Sequence, residues 1–219
     1  MKTLRSTRPV LLALLIAVGL FAEVKTAHAA KLETITVAGG CFWCVEADFE
    51  KVKGVTEAVS GFAGGKIANP TYKQVVKGGT GHLEAVQITY DPSIVSRETL
   101  YNLFLRSIDV TDAGGQFCDR GLSYSTAIFV SNTAEKADAQ TALAEAAAEL
   151  GQSIVTPILD ATDFYPADGY HQDFYKSTEI ILTRFGPRTK ANAYKRYRSA
   201  CGRDQRVKEL WGNSAPFVS

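Results

Sequence analysis

The sequence predicts one α+β domain, a mixed sheet covered by helices. Two patterns carry that expectation. Short segments that alternate apolar and polar residues, the period of a half-buried strand, are spread along the whole chain. Helical segments with their own start and stop signals fall between them. The size fits as well: roughly 190 residues follow the leader described below, enough for one sizeable core, with no internal repeat.

The elements follow in order. Glu33 to Ala38 alternates Ile35 and Val37 with polar neighbours and predicts a first strand. It runs through Gly39-Gly40 into a segment where Phe42, Val45 and Phe49 recur on one side of a helix, with Glu46 and Glu50 on another. Strand, glycine turn and helix are thus consecutive, and Cys41 opens the helix. Val55 to Phe62 predicts a second strand. A polar loop through Asn69-Pro70-Thr71-Tyr72 leads to a short helix, and Leu83 to Tyr90 alternates again. Ser96 is placed to cap a helix running through Leu100, Leu103, Phe104 and Ile108. The glycine-rich stretch from Asp109 to Tyr124 is long for a bare connection, a feature common in functional loops. Thr126 to Val130 is strand-like, and the clearest helix follows, with Asn132 as cap, Glu135 three residues on and Gly151 as stop. Ile154 to Leu159 predicts a last short strand. An aromatic stretch from Phe164 to Tyr175 precedes a basic C-terminal tail, which is expected to wrap the core rather than build a second one.

The first 29 residues read differently. Lys2, Arg5 and Arg8 precede an apolar run from Val10 to Phe21, and Ala27-His28-Ala29 places small residues where a signal peptidase inspects. This is the order of a secretory signal peptide. The run is shorter than the roughly 20 apolar residues that span a bilayer. Cleavage after Ala29, with Ala30 as the alternative, would leave a single catalytic domain over 30–219. Its core would cover about 31–188 and its tail 189–219, exported to the periplasm with no stable membrane insertion. The remaining chain carries 20 Lys+Arg against 22 Asp+Glu. With no basic run left, nucleic acid is not an expected partner.

Cys41, Cys44, Cys118 and Cys201 all lie beyond the leader. In an oxidising compartment four cysteines suggest two structural disulfides, in any of three pairings. Against this, a domain of this size does not need staples, and Cys41 stands where a reactive thiol would. A helix start aims unpaired N–H groups at the sulfur and favours the thiolate. Cys41-x-x-Cys44 also fits half of a zinc site, but no second Cys-x-x-Cys or His-x-x-x-His exists to complete it. No metal is therefore expected. Phe42 and Trp43 could be core aromatics or the apolar wall of a small site.

Gly40-Cys41-Phe42-Trp43, Gly81-His82-x-Glu84 and Asp119-Arg120-Gly121-x-x-Tyr124 resemble the signature segments of the A-class peptide methionine sulfoxide reductases. Asn69-Pro70-Thr71-Tyr72 and Tyr170-His171-Gln172-Asp173 look like further family segments, and the resemblance runs from about residue 34 to about 180. It implies a ferredoxin-like two-layer sandwich and thiol-dependent reduction of methionine S-sulfoxide, free or in peptides. It also implies Cys41 as nucleophile, Glu84 as proton donor, and Tyr72 and Tyr124 as hydrogen-bond donors to the sulfoxide oxygen. Asp119 would support the polar side, and Phe42 and Trp43 would hold the substrate methyl group. His82 and His171 are expected to hold structure. Attack would leave Cys41 as a sulfenic acid that condenses with a second thiol. Cys44, one helical turn away, is the favoured resolver, and Cys201 in a flexible tail is a second relay or an alternative. Cys118 departs from the family pattern and is expected to be a bystander. No cofactor is implied, the electrons coming from a thioredoxin-like protein or a dithiol. A protein-disulfide oxidoreductase would share Cys-x-x-Cys but not the aromatic pair or the Glu84 motif.

Overall fold

A computed structural model describes residues 31–184 and 186–218. The leader expected over 1–29 lies outside the described residues. Among the described residues no helix is long and apolar enough to cross a membrane.

β1 (Glu33–Gly39) leads into α1 (Phe42–Phe49), β2 (Val55–Ala63), α2 (Tyr72–Lys77), β3 (Leu83–Tyr90) and α3 (Arg97–Leu105). The long loop holds a small hairpin, β4 (Gly115–Gln116) with β5 (Asp119–Arg120), ahead of β6 (Thr126–Val130) and α4 (Thr133–Leu150). β7 (Ile158–Asp160) and β8 (Tyr165–Pro166) follow. The main sheet runs β7-β6-β1-β3-β2-β8. Its inner four strands, β6-β1-β3-β2, are antiparallel at every pairing. With α1 between β1 and β2 and α3 between β3 and β6, this is the ferredoxin-like order. β7 adds in parallel to β6, which makes the sheet mixed.

Local chemistry explains the boundaries. The Ser96 hydroxyl accepts from the Thr99 N–H at 3.1 Å, and Asn132 accepts from the Glu135 N–H at 3.0 Å. Each satisfies a donor that the first helical turn leaves unpaired. Gly151 ends α4 in the left-handed region, at φ 62°. Ile35, Val37, Val45, Phe49, Ile88, Leu100, Phe104 and Ile128 form the core, and Ala139, Ala142 and Ala146 line the buried side of α4. Each fully buried large side chain contributes roughly 1.5–3 kcal/mol.

Three expectations change. The strand placed at Ile154–Leu159 forms only from Ile158, because the Val155 N–H bonds the Val110 carbonyl at 2.8 Å and so belongs to the loop. It is also not the last strand: β9 (Ile180–Thr183) and β10 (Gly186–Thr189) form a separate hairpin. The segment expected as a tail is built of α5 (Lys190–Ala200) and α6 (Arg203–Trp211), and Val207 and Trp211 enter the main core.

Candidate active site

The site begins at the β1–α1 turn. A Cβ on Gly39 would meet Phe104 and Val45 at 2.9 Å, and Gly40 has φ +77° with Gln116 packed where its Cβ would be. Glycine at both positions lets the chain turn tightly between the sheet and the long loop. Cys41 becomes the N-cap of α1 and makes no side-chain capping bond. Its thiol is left to the site. The Phe42 N–H, an unpaired donor of the first turn, is taken by Glu84 Oε2 at 3.0 Å. That bond ties β3 to the start of α1.

A cavity of about 60 Å³ opens over this junction. Cys41, Phe42 and Trp43 line it from α1, Tyr72 from α2, Glu84 from β3, and Asp119 and Tyr124 from the long loop. Every residue expected at a substrate site thus reaches one cavity, sized for the end of a side chain rather than a large ligand. Trp43 stacks on Phe174 with centroids 3.8 Å apart, and His171 packs against Tyr72 at 4.3 Å. Burial holds His171 below its ordinary pKa, so it is neutral here. His82 sits outside the cavity. It accepts from the Gly65 N–H at 3.2 Å and its other ring nitrogen lies 2.8 Å from the Ile67 carbonyl, fixing the loop after β2.

Burial sets the electrostatics. Glu84 is 1% exposed. Loss of solvation pushes its carboxyl up to about 8, helped by Asp119 and Cys44 and opposed by the Phe42 N–H. It is therefore a protonated acid at neutral pH. Burial raises Tyr72 to about 12 and Tyr124 further, with Glu84 adding to both, so the two phenols are neutral donors. Burial also raises Asp119, against the hydroxyl of Tyr197 and the charge of Arg203.

Cys41 and Cys44 are free thiols, both buried. The helix start favours the thiolate at Cys41, and burial works against it there. Burial, then Cys44 and Glu84, push the Cys41 thiol up, while the nearby Tyr197 hydroxyl opposes them. Cys44 is lowered to about 7 because the Cys41 thiol donates to it and Arg203 and Arg198 lie nearby. The two thiols are thus pushed in opposite directions, Cys41 up and Cys44 down.

The other two cysteines correct the sequence reading. Cys118 is not a bystander and Cys201 does not ride in a flexible tail: they form a disulfide, 83 residues apart in sequence, with Cα atoms 4.9 Å apart. Cys201 caps the end of α5. In this state it is not a thiol able to resolve Cys41, which leaves Cys44 as the adjacent one.

Sequence reasoning also missed three residues of the C-terminal helices. Tyr197 completes the cavity wall. Arg198 pairs with the buried Asp48 at 2.8 Å, and Arg203, itself buried, donates to the Gly39 carbonyl. The spacing of Tyr194, Tyr197 and Arg198 on one helical face was the available signal. Glu46, placed on a polar side of α1, is buried and bonded to Ser60 and the Asp173 N–H, because the C-terminal half of the chain covers that side.

Comparison with known proteins gives the same answer. A family model described as peptide methionine sulfoxide reductase matches residues 33–214. The chain is 47% identical over 189 residues to the peptide methionine sulfoxide reductase MsrA 2 of Rhizobium meliloti, covering 86% of this chain and 88% of that one. It is also 47% identical over 189 residues to MsrA of Bacillus subtilis, covering 83% and 97%. Among solved structures it resembles methionine sulfoxide reductase A of Corynebacterium diphtheriae, with a TM-score of 0.59 at 30% identity, covering 68% of this chain and 75% of that one. The reduced form of Mxr1 from Saccharomyces cerevisiae gives a TM-score of 0.62 at 29% identity, covering 65% and 83%. The chain belongs to the peptide methionine sulfoxide reductase family.

Proposed function

We propose that this enzyme reduces methionine S-sulfoxide, free or in peptides, with Cys41 as nucleophile, Glu84 as acid and Cys44 as resolving thiol. One observation carries the reading. A carboxyl only 1% exposed, Glu84, opens on the same small aromatic-walled cavity as Cys41.

The chemistry follows from the atoms present. Sulfoxide oxygen leaves sulfur only when protonated, and Glu84 supplies that proton while Tyr72 and Tyr124 donate hydrogen bonds to the oxygen. Phe42 and Trp43 pack the methyl group, since sulfur-bearing chains gain contact energy against aromatic rings. As Cys41 attacks the substrate sulfur, its proton passes to the Cys44 thiolate. The oxygen ends on Cys41 as a sulfenic acid and the substrate leaves as a thioether. Cys44 then attacks the Cys41 sulfur, forming a disulfide and releasing water. A dithiol returns both thiols to the reduced state and becomes a disulfide itself.

The leader motif supports export to the periplasm, where the donor would be a thioredoxin-like protein of the same compartment. The enzyme's own residues supply the acid, the base and the nucleophile, so no cofactor is invoked. Turnover of separated R and S epimers of methionine sulfoxide with dithiothreitol tests the activity. Consumption of the S epimer alone is expected, and consumption of neither would overturn the reading. Sequencing the N-terminus of the exported protein should begin at Ala30.

A further inference from the structure

Tyr197 is the cavity wall residue supplied by α5. Its hydroxyl donates to Asp119, and its side chain lines the same small cavity as Cys41. Its ring meets Trp43 edge-on, with centroids 6.2 Å apart. On its other side Tyr197 borders an open groove of about 820 Å³ that also touches Cys118 and Cys201. Among the described residues, Tyr197 is thus the one that lines both the small cavity and the outer groove.

What ties α5 to the long loop here is covalent. Cys118 immediately precedes Asp119, and Cys201 follows Tyr197 by one helical turn, its N–H bonded to the Tyr197 carbonyl at 2.9 Å. The disulfide between them therefore flanks both ends of the Tyr197–Asp119 hydrogen bond. We propose that Tyr197 is a substrate-site residue that holds the Cys41 sulfur for attack, and that the Cys118–Cys201 disulfide is the brace keeping Tyr197 over the cavity. The proposal rests on Cys41 being the nucleophile.

The phenol suits that role. Burial and the neighbouring Cys41 keep Tyr197 protonated, so its one proton can turn from Asp119 to the sulfur as negative charge grows there. A hydrogen bond to a charged group is worth more than one between neutral groups, so the hydroxyl favours the ionised sulfur over the thiol. The brace costs the site nothing chemically, because Cys118 and Cys201 spend their sulfurs on each other.

The test is site-resolved alkylation of Cys41 by iodoacetamide across pH 5 to 10, read by peptide mass. The protein carries free Cys41 and Cys44 and an intact Cys118–Cys201 disulfide, a state confirmed by mass. Tyr197→Phe, which keeps the ring, should shift the Cys41 profile to higher pH and slow its alkylation at pH 7 on the order of tenfold. The paired replacement Cys118→Ser with Cys201→Ser should shift it the same way by less. Adding Tyr197→Phe to that pair should give no more than Tyr197→Phe alone. An unchanged profile in Tyr197→Phe, with melting temperature intact, would overturn the role of the hydroxyl. A serine pair that only lowers the melting temperature, or effects that multiply with Tyr197→Phe, would overturn the brace. Because alkylation needs no substrate, these outcomes are separate from failure of sulfoxide turnover itself.

Discussion

The two cysteine pairs of this chain share a residue type and differ in construction and placement. Cys41 and Cys44 are one helical turn apart, buried, and kept as thiols among aromatic rings, two arginines and a carboxyl. Cys118 and Cys201 come from a surface loop and a helix end and are joined, with Cys118 exposed. A thiol near a proton acceptor and a substrate cavity is reactive; a sulfur whose partner fixes two distant segments is structural. Residue type alone separates neither. Surroundings do.

Removing the inner sulfur should have the largest effect. Cys41→Ser is expected to abolish sulfoxide turnover with dithiothreitol while leaving the fold intact by circular dichroism. Any residual turnover above the protein-free rate would make another group the nucleophile. Glu84→Gln comes next, with kcat/KM lower by roughly 10²–10⁴.

The pH profile sharpens the same point. Glu84 must keep its proton, so activity should fall as pH rises above about 8. Cys44 must have lost its own, so activity should also fall below about 7. The alkaline limb should vanish in Glu84→Gln. A profile flat from pH 6 to 9 in the native enzyme would contradict both assignments.

Counting product probes the contrast between the pairs directly. Enzyme with all four cysteines reduced, mixed with excess sulfoxide and no reductant, should form one methionine per chain if only the inner pair turns over. Two per chain would make the outer pair a relay. Replacing Cys118 and Cys201 together by serine should cost roughly 2–4 kcal/mol of stability, given the long loop the disulfide closes, with denaturant unfolding as the measure.

The smallest effect is on stability alone. A carboxyl raised from 4.5 to about 8 in the folded state holds a proton that the unfolded chain has already released between those values. Folding therefore weakens as pH rises through that window. Glu84→Gln removes the penalty, so its melting temperature relative to native enzyme should improve from pH 5 to pH 8.5. A constant difference would mean that Glu84 ionises freely.

Legibility followed range. The strand at Leu83–Tyr90 and the caps Ser96, Asn132 and Gly151 were readable because their signals lie within a few residues. Cys41, Phe42, Trp43 and Glu84 were readable because their motifs are contiguous and resemble a known family. The Cys118–Cys201 pairing, the wall position of Tyr197 and the burial of Glu46 were not. Each depends on where α5, α6 and the Phe164–Tyr175 stretch settle against α1, a contact more than a hundred residues away in sequence. The upward push on the Cys41 thiol was illegible for the same reason: the helix start was visible, but the depth of burial there was not.

The most direct test is a single turnover of Cys44→Ser with methionine S-sulfoxide in the presence of a dione that captures sulfenic acids. With no resolving thiol, the oxygen should stop on Cys41. One methionine per chain is expected, formed more slowly than in native enzyme, with a dione adduct on Cys41 in peptide mass. An adduct on Cys118 or Cys201, or methionine formed with Cys41 unmodified, would contradict Cys41 as the nucleophile.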